Sequence, residues 1–574
     1  MSTGWTAAFP LSKLPVGGGR MFTQDRDQVA VFRIDEETLY AVDNRCPHEG
    51  YPLIKGTRKG CTLTCDWHNY KFNLVDGACI KGEEAVRTFP VRVVDGTVEL
   101  DLSPPDLSKA VPKLWLSLEE ALLERRIGQA ARDAVRLLEA GEPPTRIASF
   151  VAAFDGARGQ YGANHALAVA YDILQWEERY PGTSFAVPLA QLLDLASRNN
   201  TRRPIRVLAS PEDPGADPLA AGREWRVRVE AEDTAGAEAL LRGALVRGWQ
   251  RAELEPWFFG AVSDHFLSFG HRLIYQTKVF DLLDVSDWEY AEPILCGHLF
   301  GLVNGTREDV LPNWTEFGKS VEDLDLVGLY AGLGSNPDWH GADALLSVIL
   351  DGKPADAIQA LANAMQEGAP MSSLADVMVL GGAERMLRFD TDIDGNPDCQ
   401  DNWLSVTHIQ TFAHAVRIAA ARYQEPDVLR LLFFSARFIN HHKVLDLPVE
   451  RRQPVVPGSE EIGDFLAAID RRDSVGAMGV ASSMIRTPEG TSALRDLLMD
   501  VVISDAISRP IVSAHAIKNL VVGLEEWTAT GDDRPLLAAV RLLSGPLQQR
   551  WTYRSAREAV AFVTKGTVPK LMAP

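Results

Sequence analysis

Two groups of residues in this 574-residue sequence have the types and spacing to do chemistry. The first is compact. Cys46 is followed two positions on by His48, and nineteen residues after Cys46 comes Cys65, followed three positions on by His68. Two thiolates and two imidazoles form a metal-ligand set that suits structural zinc as well as an iron–sulfur centre, so spacing alone leaves both open. The second group is dispersed. "HFLSFGH" sets His265 and His271 six residues apart, and "HIQTFAH" repeats the step at His408 and His414. His298 follows His271 by 27 residues and His441 follows His414 by the same interval. Looser echoes surround His165 in "YGANHALAVAY" and His515 in "IVSAHAIKNLV". Such repetition among only 12 histidines marks an internal duplication. Histidine is the commonest metal ligand. We therefore expect His265, His271, His298, His408, His414 and His441 to be ligands of a non-haem metal.

The context of the compact group is more specific than its spacing. Sixteen residues separate His48 from Cys65, Trp67 precedes the second histidine, Phe72 lies four residues after it, and Gly77 falls in a following turn. On these residues the first 100 or so positions resemble the Rieske [2Fe–2S] family. The resemblance implies that Cys46 and Cys65 bind one iron and His48 and His68 the other. Neutral imidazoles in place of thiolates raise the potential above that of all-cysteine clusters. The respiratory members add a disulfide between the two cluster loops. Tyr51 and Trp67 occupy those positions here, so the resemblance is to the soluble ferredoxin or oxygenase type, toward the low-potential end of the Rieske range. Asn69 stands where the family often has glycine, and asparagine tolerates a left-handed backbone. The remaining Cys61 and Cys79 read as small hydrophobes.

These ligands must be held by two kinds of structure. Residues 1–103 read as β: "QVAVFRIDEETLYAVDN" and "RTFPVRVVDGTVELDL" are strand-length apolar runs rich in β-branched residues, with turn residues between them. A proline-bearing linker is expected over 104–116. Ser117 with Glu120 then forms a capping-box pattern and opens helical spacing that continues through the chain. One run, "REWRVRVEAE", has strand-like alternation. The expected fold is thus multidomain, a small all-β Rieske domain fused to a large, mostly α-helical region with internal repeats. The helical region is divided by the repeats into 117–320 and 321–574.

Sequence geometry suggests how the triples converge. Turns centred at Asp284–Val285 and Asp427–Val428 would make helical hairpins with His271 opposite His298 and His414 opposite His441. A six-residue step leaves two side chains about 120° apart on a helix, so His265 joins His271 only if the helix breaks near Ser268–Gly270. Asp264, Glu292 and Glu384 are the nearby carboxylates that could complete a site. The Glu-x-x-His signature of di-iron bundles is missing. "DNWLSVTHIQTFAH" superficially resembles the mononuclear-iron motif of ring-hydroxylating oxygenases. However, Thr407 stands where that motif needs aspartate, and five residues rather than four separate its histidines. "NHALAVAY" and "GHRLIYQTKVFDLLD" are similar to segments of the questin-oxidase-like helical enzymes, which are linked to oxidative ring opening of aromatic polyketides; only His165 and His271 carry over.

Composition limits the function. A net charge of −20 argues against nucleic acid or an anionic membrane as partner. No apolar run is long enough to span a bilayer, and the first residues lack a signal-peptide pattern. Six cysteines, four of them in the first 80 residues, do not make a disulfide scaffold. A cytoplasmic location follows. No usable dinucleotide fingerprint is present, because "VGGGR" has the wrong form. Electrons are therefore expected from an external NAD(P)H-dependent reductase or ferredoxin. The expectation is a Rieske oxidoreductase that passes them to a histidine-rich non-haem iron centre, where O2 is activated against a small organic substrate. The alternative is a non-enzymatic electron carrier whose helical region is a docking platform.

Overall fold

The computed structural model describes residues 4–82, 84–103, 107–200, 205–312, 314–396, 399–504, 509–547 and 551–566. The chain forms two compact units, 1–141 and 142–574.

The first unit contains three small antiparallel sheets. Trp5–Pro10 pairs with Thr97–Asp101, which pairs with Val91–Val94. Gly19–Gln24, Asp27–Arg33, Leu39–Asp43 and Thr88–Phe89 form the second sheet in that order. Thr57–Lys59, Thr62–Thr64, Lys71–Asn73 and Cys79–Lys81 form the third. The strand Asp27–Arg33 is buried on both faces, as its unbroken "VAVF" requires. Val29 and Val31 join one core with Phe9, Ala41 and Leu100, while Ala30 and Phe32 join the other with Cys46, Cys65 and Phe72. The second core is the one that carries the cysteines.

This unit does not stop at the last strand. The expected linker over 104–116 is helical from Leu107 onward, within Leu107–Leu123, and Pro112 sits inside that helix; 104–106 lie outside the described residues. With Ile127–Glu139 it makes a helical hairpin whose buried face includes Leu118, Leu122, Ala134 and Leu137. Glu84, at the edge of the β region, is buried between Arg132 and Arg136, at 2.7 and 2.5 Å.

Among its described residues the second unit consists of helices and the loops that join them, with isolated bridges but no strand. Position 320, where we expected a division, falls inside the helix Thr315–Glu322. "REWRVRVEAE" is helical through Glu230, where the helix Pro218–Glu230 ends. Asp217 caps that helix through the Leu219 N–H and Pro218 sits at its first turn. Ala221, Trp225 and Val229, at four-residue intervals, are its buried stripe. The alternating arginines that suggested a strand line the helix exterior. No helix among the described residues is long and apolar enough to cross a membrane.

Four helices of this unit matter most: His165–Leu174, His271–Val285, Trp403–Arg422 and Pro510–Thr530. Each is buried along most of its surface, as a helix apolar on every side must be.

Candidate metal centres

In the β unit the two metal-binding loops are built alike. The Cys46 N–H donates to the carbonyl of Tyr51, and the Cys65 N–H donates to that of Tyr70, at 2.9 and 2.7 Å. Four residues after each cysteine, Gly50 and Asn69 return N–H bonds to the cysteine carbonyls, at 2.8 and 2.9 Å. Both have a left-handed backbone, with φ 75° and 61°. Asn69 thus does the work of a glycine, which fits its tolerance of that region.

These loops converge their donor atoms. Cys46 and Cys65 are both buried, adjacent and reduced. Burial pushes the Cys46 thiol up to about 11, and the neighbouring Cys65 adds to this, while the N–H groups of His48 and Glu49 point at its sulfur and favour the thiolate. The Nδ1 atoms of His48 and His68 face each other at 3.1 Å. Tyr70 stacks on His48 and Trp67 on His68, with ring centres 4.7 and 4.6 Å apart. The rings of Tyr51 and Trp67, one from each loop, lie 6.0 Å apart. Two crowded buried sulfurs on one side and two inward imidazole nitrogens on the other fit a [2Fe–2S] cluster held by Cys46, Cys65, His48 and His68. When bound, the cluster supplies one-electron transfer.

In the helical unit the structure brings together His165, His271, His408 and His515, whose ligand nitrogens all lie within 4.8 Å of one another. Two of these come from the expected six. His165 and His515 had appeared only as echoes of the repeat, His165 also through the questin-oxidase-like resemblance. Around the group, neighbouring ring centres are 4.7 Å (His165–His271), 4.4 Å (His271–His408), 4.5 Å (His408–His515) and 4.5 Å (His515–His165) apart. Both diagonals, His165–His408 and His271–His515, are 6.4 Å. These six distances describe a flat square; in a tetrahedron all six would be equal.

Local structure fixes how the rings point. His165 is the first residue of its helix, capped by Asn164, which Asp155 and Asn199 hold from behind. His271 also opens its helix, after Gly270 at φ 81°. His408 and His515 each sit in the second turn of a helix and bond through Nδ1 to the carbonyl four residues back, Leu404 and Ile511. That bond needs Nδ1–H, so each Nε2 turns an unprotonated lone pair inward. The Nε2 atoms of His271 and His515 lie 2.7 and 2.8 Å from that of His408. Burial pushes His408 down to about 3, and burial with the surrounding positive groups holds the other three well below the ordinary imidazole range. Neutral imidazoles crowding their lone pairs together are what a bound cation relieves. Lys518, one turn beyond His515, lies 2.9 Å from Nδ1 of His165; burial and the nearby Lys278 push it down to about 7, and as a neutral amine it accepts from Nδ1–H, the tautomer that leaves the His165 Nε2 lone pair free.

The other four expected ligands lie elsewhere. His298 bonds to Gln276 at 3.1 Å and stacks on Phe258, because the loop between its helix and that of His271 is 286–290, which puts the hairpin's midpoint about a turn beyond Asp284–Val285. His414 shares one unbroken helix with His408, so the six-residue step turns it to another face. There Glu526 and Glu525 hold it at 2.6 and 3.1 Å. His441 ends the helix Val428–His441, beside Trp314 and His442. The expected break at Ser268–Gly270 does occur, but it turns His265 away to Asp309 and Glu230, on the wall of a separate groove of about 1100 Å³. Asp264, Glu292 and Glu384 are ion-paired with Arg226, Arg242 and Arg388 and contribute nothing to the square.

Comparison with known proteins bears on the β unit. Residues 4–101 match the profile of the Rieske-like [2Fe-2S] domain. The ferredoxin subunit of anthranilate 1,2-dioxygenase from Burkholderia cepacia is 33% identical over 98 residues, 15% of this chain and 90% of the subunit. The 4beta-methylsterol monooxygenase of Methylococcus capsulatus is 33% identical over 105 residues, 16% of this chain and 27% of the enzyme. The oxidoreductase NdmD of Pseudomonas putida is 31% identical over 88 residues, of which this chain spans 15% of the length. Among solved structures, the ferredoxin of carbazole 1,9a-dioxygenase from Nocardioides aromaticivorans aligns at 25% identity and a TM-score of 0.17, covering 17% of this chain and 98% of that one. With the cluster ligands already in place, the match assigns the β unit: through residues 4–101 this chain belongs to the Rieske-like [2Fe-2S] family.

Proposed function

We propose that the helical unit holds a redox-active metal ion on His165, His271, His408 and His515, and that the Rieske cluster supplies this centre with electrons for the activation of O2 against an organic substrate. The observation that carries the reading is the flat square of imidazoles. Four nitrogens about 2.0–2.1 Å from one metal, with each ring centre about 1.1 Å further out, would set neighbouring centres about 4.5 Å apart and opposite ones about 6.4 Å apart. The observed edges of 4.4 to 4.7 Å and diagonals of 6.4 Å match both values. His165, His271, His408 and His515 would hold the ion, which when bound would supply the one-electron chemistry that O2 activation needs. We take the metal to be iron, in keeping with the cluster; imidazole also suits copper.

The electron source in this reading is an external NAD(P)H-dependent reductase or ferredoxin. Relatives of the β unit include a ferredoxin subunit of a dioxygenase and a monooxygenase, which supports both electron transfer and oxygen chemistry as the setting. Lys518, hydrogen-bonded to His165 and held near neutrality by burial, is a group able to hold or release a proton beside the centre.

Metal analysis of the full-length protein tests the proposal. The expected result is two irons from the cluster plus one further transition-metal ion, and His408→Ala should remove only the latter while the reduced Rieske spin-resonance signal persists. Two irons and nothing else in the wild type would sink it and favour the electron carrier with a helical docking domain.

A further inference from the structure

The segment before His271 is built against ordinary backbone preference. Ser268, Phe269 and Gly270 have φ of 49°, 58° and 81°, three left-handed residues in succession, two of them not glycine. Such conformations persist only where the surroundings over-determine them. Here they do so from two sides. Leu267 bridges to Arg307, the Ser268 N–H donates to Thr306, and the Glu308 N–H donates to Phe266, so 266–268 and 306–308 run as a short paired strap. The buried carboxylate of Glu308 then takes the Phe269 N–H with both oxygens, at 2.9 and 2.7 Å. On the other side Gly270 lies against the ring of Phe412, where a Cβ would stand 2.3 Å from a ring carbon. Phe412 is one turn beyond His408 on the same helix.

The outcome is the placement of one side chain. Phe266 and Leu267 are buried, 1% and 5% exposed, yet Phe269 is 51% exposed. Its ring centre is 6.0 Å from that of His408. Of the four histidines His271 is the most exposed, and it lies two residues after Phe269. A large, half-exposed apolar ring is thus held beside His408 and two residues from His271, the most exposed member of the square.

We propose that Phe269 is the residue that screens the four-histidine centre and sets the size of the molecule that approaches it. The inference rests on the metal-centre reading above. The strap and Glu308 position the ring, and the left-handed run keeps it from folding into the core beside Phe266.

Azide binding to the metal of the full-length protein, followed by stopped-flow difference spectroscopy, is the test. The Rieske cluster is fully ligated and stays silent in it. Phe269→Ala should speed azide association several-fold and Phe269→Trp should slow it, with metal content unchanged in both. Unchanged rates in both variants, with metal retained, would overturn the screening role and leave the metal centre standing. Loss of metal from Phe269→Ala would also overturn it, by showing that the ring holds the ligands in place. A wild type without the additional metal would instead remove the reading beneath it.

Discussion

The two candidate centres use the same raw material, histidine and a folded scaffold, but they are assembled in opposite ways. All four residues of the Rieske site fall between Cys46 and His68, in two loops with the same hydrogen-bond plan. The four histidines of the helical unit come from four helices and span positions 165 to 515. The first site is a local motif, specified by turns; the second is a product of helix packing. One reads as a pattern along the chain, the other only after the chain has folded.

The bluntest way to separate the centres is to destroy one. Cys65→Ser should abolish the visible absorption of the cluster completely, while far-ultraviolet circular dichroism, dominated by the helical unit, stays near that of the wild type. Joint loss of helical signal would show that the units are not independent.

His515→Ala should empty the second centre and leave the cluster signal, whereas His298→Ala should keep all metal. The cost of His298→Ala is instead to stability, on the order of 2–4 kcal/mol for truncating a buried ring. Denaturant melts with metal analysis on both variants decide this. The reverse pattern would restore the 27-residue repeat as the ligand set.

That repeat shows where sequence reading ends. The Rieske domain, the β character of the first hundred residues and the helical character of the rest were all legible, because turn chemistry and periodicity are local. His271 and His408 could be singled out through the similar runs "HFLSFGH" and "HIQTFAH". Their partners were not. Pairing His271 with His298 assumed a turn at Asp284–Val285, but the helix runs to Val285 and the loop follows it. His515 sits more than a hundred residues from His408, and only the contact between their helices makes them neighbours. The clearest hint was already in "YGANHALAVAY", an Asn cap followed by a His at a helix start, which is the same placement as His271 after Gly270.

A third test uses His414, which lies outside the square and is held by two carboxylates. Burial works against charge on His414, but Glu525 and Glu526 outweigh it and hold the imidazole up to about 9. Its folded value lies above the ordinary one, so its contribution to stability is complete below about pH 6.5 and is lost as pH rises through about 9. We expect roughly 2–3 kcal/mol to disappear across that window, and His414→Gln to flatten the dependence. Denaturant melts from pH 6 to 9.5 check it, since a metal-bound histidine would show no such loss.

The smallest expected effect is at Asn69, which carries the left-handed turn of the second Rieske loop. Asn69→Gly should alter stability by less than about 1 kcal/mol and leave the cluster spectrum in place. A large loss would mean that its side chain, rather than its backbone, matters to the loop.

The ion triad of Glu84 with Arg132 and Arg136 has a practical consequence for anyone dissecting the protein. A fragment cut where the family match ends, at residue 101, would strip both guanidiniums from a buried carboxylate. Leaving a buried charge unpaired is among the costlier things a truncation can do. The border to respect lies past the helical hairpin, near Gly141. A soluble electron-transfer fragment should therefore be expressed as 1–141, with the hairpin kept as its own counter-ion.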